Sequence, residues 1–334
     1  MVFRFFLLLA ALLSTEIAEA ASSCNGIDNA VGILKCLTAL NGALGRSKML
    51  DSCRGLSLQG KSCLGRYISF NKKPVIEMTL AEGYMDGELP TDGIWSASDL
   101  DTVTSRLLAP CQSNSLACGF RQDPRDMEYF TKTIVGFNNQ RKLVRIHVVS
   151  GALSADPKYN ALHAKEQAAL SARVQKIFLD AVAQGQEAVF YNGHARDGGG
   201  PDFSPGRFKN GKLNYAWYSS ERAHGRGGEV LLEKAMRKAS ASGHPPSFFG
   251  DFSCASRAHF EKSLEKVSPN TSLILSSWLT NGLATTSGIL TSIDMMLKEK
   301  CGDEFNAELR KNTRSIVTDE GRAKESEFDL YDFR

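Results

Sequence analysis

The chain has 334 residues, 42% of them hydrophobic, eight cysteines and a formal net charge of +3. That length supports one large domain and a smaller module. The near balance of charge, with no dense Lys/Arg block and no interleaved aromatic stripe, argues against a nucleic-acid binder.

Residues 1–20 carry Arg4, an apolar run from Phe5 to Leu13 and an Ala18-Glu19-Ala20 end. This is the pattern of a cleavable secretory signal, and it predicts export to a periplasmic or extracellular compartment. No later stretch holds about 18 continuous apolar residues, so no membrane span is expected. Cysteines in an oxidising compartment tend to pair. Proximity suggests Cys24 with Cys36, Cys53 with Cys63 and Cys111 with Cys118, although spacing alone leaves the connectivity open. Cys254 and Cys301 remain, either bridged to each other or leaving Cys254 as a thiol.

Residues 22–66 read as a small cysteine-rich helical module, with Ile27, Val31, Leu34 and Leu37 on one helix face. So short a piece buries little core and needs disulfide staples. Residues 67–130 read as an irregular covering segment with a strand near Val75–Leu80 and a helix near Ser98–Leu108. Residues 131–302 read as the main α/β domain. It opens with a hairpin, Thr131–Phe137 and Leu143–Val149, turning at Asn138-Asn139. His147 on its second strand reads as structural. Asp156-Pro157 starts a helix that Gly185 closes, and the apolar run Ala188–Tyr191 follows as a buried strand. A loop at Tyr215–Arg226 precedes a helix at about Gly228–Ala241. Ser247–Ser253 is the next strand, ending at Cys254. A helix at Ser256–Lys266, a strand at Thr271–Ser277 and a helix at about Thr286–Lys300 complete the alternation. Residues 303–334 read as a charged tail with an edge strand at its end. The expected fold class is thus α/β, a mostly parallel sheet with helices on both faces.

In such a sheet ligands bind outside the carboxyl ends of the strands. His194 lies just past one strand end and Cys254 just past the next, so a long separation in sequence becomes proximity if the strands are neighbours. A thiolate with an imidazole beside it supports nucleophilic acyl transfer, and a cysteine at a helix start gains thiolate character. Backbone N–H groups near Gly193 and Ala195 could face a developing oxyanion. In the glycine-rich loop after the strand, Asn192, Arg196, Asp197 and Asp202 are substrate-facing candidates, as is Trp278. Gly198-Gly199-Gly200 lacks the Lys-Ser/Thr ending of a phosphate cradle. No Cys/His/Asp cluster has zinc spacing, and no cofactor is expected.

A strand ending in Gly-His, followed by a strand ending in Ser-Cys-Ala-Ser, resembles the caspase-like cysteine peptidases of clan CD, especially the separase and CHAT-type branches. The resemblance covers about residues 143–300. It implies a caspase-like fold in which His194 and Cys254 act together on peptide bonds of a peptide or protein substrate. Two positions depart from that pattern, Ala195 and Ser256, where the family or its caspase branch has glycine. The sequence keeps two other readings open, a non-catalytic disulfide-stabilised exported binding module and a cell-wall amidase or endopeptidase. It does not set the oligomeric state.

Overall fold

In the computed structural model of the chain, the described residues are Tyr67, Phe70, 73–318 and 331–333, apart from 88, 113, 136–140, 278–281 and 301. Residues 1–20, the module 22–66 with Cys24, Cys36, Cys53 and Cys63, the Asn138-Asn139 turn, Trp278 and Cys301 lie outside them.

The architecture is α/β, built on one eight-stranded sheet. The first strand in chain order, β1 (Val75–Glu82), lies at its centre. Helix α1 (Trp95–Leu108) follows, then β2 (Arg121–Asp123), β3 (Asp126–Val135) and β4 (Arg141–Ser150). Helices α2 (Pro157–Leu162) and α3 (Ala164–Ala183) lead to β5 (Ala188–Asn192). A short ribbon, β6 (Phe208–Lys209) with β7 (Lys212–Leu213), then α4 (Tyr215–Ala223) and α5 (Gly228–Ala241) lead to β8 (Phe248–Asp251). Helix α6 (Ser256–Val267), β9 (Ser272–Ser276), α7 (Gly282–Leu297), α8 (Gly302–Thr318) and β10 (Tyr331–Phe333) complete the order. Across the sheet the strands run β10-β9-β8-β5-β1-β4-β3-β2. Those from β9 to β4 are parallel to their neighbours; β3 pairs antiparallel with β4 and β2, and β10 pairs antiparallel with β9. From β1 at the centre the chain passes to the far edge at β2, comes back through β3 to β4 beside β1, then crosses to β5 and moves outward through β8 and β9. The reversal makes β1 and β5 the switch point at which such sheets bind ligands.

Strand alternation divides the core in two. On one face Met78, Leu80, Phe190, Phe248 and Ile274 pack with α1, α7 and α8 through Val103, Leu107, Ile289, Ile293, Phe305 and Leu309. On the other, Ala81, Val189, Tyr191, Phe249 and Leu273 pack with α3, α5 and α6 through Val174, Phe178, Leu232, Met236, Phe260 and Leu264. Each fully buried residue of this size contributes about 1.5–3 kcal/mol. No helix among the described residues is long and apolar enough to cross a membrane.

Several boundaries read from the sequence move. The segment 67–130 is not merely covering, because it supplies β1. Glu77 and Glu82 interrupt that strand's apolar run, yet Glu77 is matched by Arg145 in the paired rung of β4, 2.9 Å away. The stretch Tyr215–Ala223 is a helix rather than a loop. It is started by Asn214, whose side-chain oxygen accepts the Trp217 N–H at 3.3 Å. Residues 303–318 are not tail, since α8 buries Phe305, Leu309 and Thr313 at a spacing of four. Cys111 and Cys118 form a disulfide with Cα atoms 5.1 Å apart.

Gly185, which closes α3, has φ +64°, and a Cβ there would stand 1.7 Å from the His244 carbonyl oxygen. Gly185→Ala is expected to destabilise the fold by at least about 1–2 kcal/mol from backbone conformation alone, with more from the displaced loop. A lowered urea midpoint at unchanged slope checks this.

Candidate active site

The two strands carrying the sequence candidates are adjacent. Tyr191 of β5 pairs with Asp251 of β8, and the Phe252 N–H donates to the Tyr191 carbonyl at 2.9 Å. His194 and Cys254 each lie three residues beyond that rung, on strands about 4.8 Å apart. Both leave the sheet at the same edge.

His194 is held from β1's side. Its Nε2 lies 2.6 Å from the Asp86 carbonyl oxygen and 3.5 Å from Asp86 Oδ1. A carbonyl only accepts, so Nε2 carries the hydrogen and Nδ1 of the neutral ring keeps its lone pair. Burial, and then the Arg196 charge, lower the imidazole pKa to about 4, with Asp86 opposing. The ring is neutral over the physiological range.

Arg196 organises the loop around that ring. It and Asp197 have left-handed backbones, φ 47° and 54°, so the chain doubles back and carries the guanidinium inward. Its side chain is 2% exposed, paired with Asp86 and, at 3.0 Å, with Asp202. The guanidinium stacks 5.4 Å over the Tyr218 ring, whose hydroxyl donates to Asp202 at 3.2 Å. Burial opposes the Arg196 charge, but Asp202 and Asp86 outweigh it and raise the pKa further. The other Asp86 carboxylate oxygen accepts the Gly206 N–H at 2.6 Å. Asp86 thereby joins the β1 exit to the loop after β5.

Cys254 is half-buried just ahead of α6, and Cys301, the other end of the possible bridge, lies outside the described residues. Ala255 after it has φ 50°. Three fully buried serines fix this turn. Ser253 donates N–H and Oγ–H to Asp251 Oδ1 at 3.0 and 2.5 Å. Ser256 Oγ donates to the Asp251 carbonyl at 2.6 Å, and its N–H donates to Ser276 Oγ at 3.1 Å. Ser276 on β9 bonds back to Ser256 Oγ and to the Ser253 carbonyl. Ser256, where glycine was the pattern, is thus a tie between β8 and β9. Burial raises the Asp251 pKa to about 7, opposed by the bonds from Ser253.

The loop candidates separate. Asp197 is exposed. Hydrogen bonds and ion pairs draw the polar heads of Asn192, Arg196 and Asp202 inward. Asn192 is 0% exposed and donates to Glu82 at 2.7 Å. Ala195 has an ordinary φ of −73° and a methyl in the apolar core, so the turn has no need of glycine there. Gly193 is buried beside the Tyr191 hydroxyl. His147 is structural, stacked on Tyr129 at 4.2 Å and bonded to Glu128 at 3.2 Å.

Sequence reasoning missed Asp86, Tyr218 and the serine ties. A signal for Asp86 was present in Gly83-Tyr84-Met85-Asp86-Gly87, another strand running into a glycine-flanked turn. A cavity of about 580 Å³ opens beside this loop, lined by Tyr84, Asp86, Asn160, Gln167, Gly206 and Arg207 among others. Among the described residues no group of three or more His, Cys, Asp or Glu side chains is arranged to hold a metal. No family model, curated protein or solved structure matches the chain.

Arg196→Met is expected to raise the His194 pKa above about 4, because the repelling charge is gone; an NMR titration of the ring follows this. Asp251 takes up a proton on folding between the ordinary carboxyl pKa near 4 and about 7. Its contribution to stability therefore falls as pH rises through that window, by up to about 4 kcal/mol. His194, depressed from 6.5 to about 4, contributes in the opposite direction, gaining as pH rises. Asp251→Asn should remove the first trend alone, so the variant gains stability over wild type progressively from pH 4 to 7 in denaturation measurements.

Proposed function

We propose that the protein is a cysteine hydrolase cleaving amide bonds of a peptide or protein substrate, with Cys254 as nucleophile and His194 as general base and acid. The observation that carries this is the placement of the two residues at equal distance beyond one paired rung, with the imidazole locked in the tautomer whose Nδ1 accepts a proton. Caspase-like identity is part of the same reading. It rests on Gly-His and Ser-Cys-Ala-Ser closing adjacent parallel strands.

The chemistry follows from the groups present. Nδ1 takes the thiol proton, and the thiolate so formed is stabilised by the α6 N-terminus. That negative charge also supports the imidazolium that an isolated His194 resists. The sulfur attacks the carbonyl carbon, and backbone N–H groups at the two strand exits are suited to the oxyanion. The tetrahedral species collapses, and the imidazolium gives its proton to the leaving amine. Water, deprotonated by the same imidazole, then hydrolyses the thioester and frees Cys254.

Export to a periplasmic or extracellular compartment belongs to this proposal, supported by the signal-like first twenty residues and by the Cys111–Cys118 disulfide. The low basicity of His194 favours one alternative, a binding module that retains the loops without turnover. A cell-wall amide bond would be cut by the same chemistry, so the substrate panel should contain both peptides and peptidoglycan fragments.

With such a panel, Cys254→Ala should lower turnover by at least about 10³-fold and His194→Ala by about 10²–10⁴-fold. Iodoacetamide should label Cys254 in the native protein. Turnover unchanged in Cys254→Ala would sink the proposal.

A further inference from the structure

A second polar cluster lies beside the switch point and takes no part in that chemistry. Glu82 ends β1, Asn192 ends β5, and the two are paired across the sheet. Asn192 Nδ2 donates to Glu82 Oε2 at 2.7 Å. From α1, Ser96 and Asp99 turn their side chains inward one helical turn apart. Asp99 also meets the first residue of α7, where a Cβ on Gly282 would stand 2.7 and 2.9 Å from its two carboxylate oxygens. Glycine lets that helix begin against the carboxylate.

Four oxygens here are buried and without a hydrogen-bond partner: Glu82 Oε1, Asn192 Oδ1, Asp99 Oδ2 and Ser96 Oγ. Glu82, Asn192 and Ser96 are 0% exposed and Asp99 is 8% exposed. An unmet buried acceptor costs about 1–3 kcal/mol and a charged one more, so four together call for an occupant. Two belong to carboxyl groups, one to an amide carbonyl and one to a hydroxyl. Apart from burial, the groups acting on Glu82 are Asp99 and the Asn192 amide, and neither is a cation. A hard cation is an occupant that carboxyl, amide-carbonyl and hydroxyl oxygens can all ligate. Mixed carboxylate, carbonyl and hydroxyl oxygens in an irregular shell suit Ca²⁺ better than Mg²⁺, which demands near-ideal octahedral geometry.

We propose that Glu82, Asp99, Asn192 and Ser96 form a buried site for a divalent cation, Ca²⁺ by preference, that joins the ends of β1 and β5 to α1. Binding braces the strand end two residues before His194, whatever that histidine does.

The test uses the full chain, stripped with chelator and dialysed, and none of its readouts is enzymatic. Calorimetric titration with CaCl₂ at pH 7.5 should show binding, together with a Ca²⁺-dependent rise in Tm. Glu82→Gln and Asp99→Asn should each weaken binding by at least about 10-fold. Ser96→Ala, which changes no charge and serves if the carboxyl variants fail to fold, should weaken it several-fold. Absence of Ca²⁺ binding by wild type overturns the proposal. So does unchanged affinity in Ser96→Ala and in whichever carboxyl variants fold. A Glu82→Gln protein more stable than a wild type that ignores Ca²⁺ would show that the cluster holds only a proton, and overturns it equally.

Discussion

Burying a guanidinium in the centre of a loop is costly unless every charge around it is answered. Arg196 meets that condition between Asp86 and Asp202, under the Tyr218 ring. The pairing draws together the exit of β1, the turn after β5 and helix α4, three pieces that regular secondary structure leaves unconnected. The site geometry depends on it. Asp86 is fixed by its carboxylate and offers its carbonyl to His194, so the ring's orientation and tautomer derive from the Arg196–Asp86 ion pair. Burial, reinforced by the same positive charge, holds the imidazole unprotonated, so Arg196 contributes to both its position and its charge state.

The strand end carrying Cys254 is fixed by different physics. No charge pair is used there; three serine hydroxyls and a buried aspartate stitch β8, the turn and β9 through short bonds. Neutral hydroxyls both donate and accept, so they satisfy the backbone of a tight turn without adding charge beside a thiol. One side of the site is therefore electrostatically rigid and the other is rigid through neutral hydrogen bonds.

Much of this was legible in the sequence, and the divide follows physical range. Alternating apolar runs and helix periodicity gave the parallel sheet, and the strand exits gave His194 and Cys254, because these are local patterns. β1 was underrated since Glu77 and Glu82 break its pattern, and only the paired Arg145 and Asn192 explain them. In α8 the overall charge hides the Phe305, Leu309, Thr313 stripe. Helix α4 is short, buries only Tyr218 and is started by the Asn214 cap. The internal bonds of Asn192, Arg196 and Asp202 are hidden in the sequence for a related reason. Polar residues in a glycine-rich loop look outward in sequence, and their partners Glu82 and Asp86 lie about 110 residues away.

Ala195 links the loop to the core. Its backbone belongs to the turn that presents His194, while its methyl lies among Tyr191, Phe203 and their neighbours. A residue serving both cannot vary on behalf of either alone. Sequence drift in the loop is filtered by folding, and drift in this part of the core is filtered by the loop. Variants that alter the chemistry of this edge should therefore arise at Asp197, which faces solvent, sooner than at the residues that hold the histidine in place.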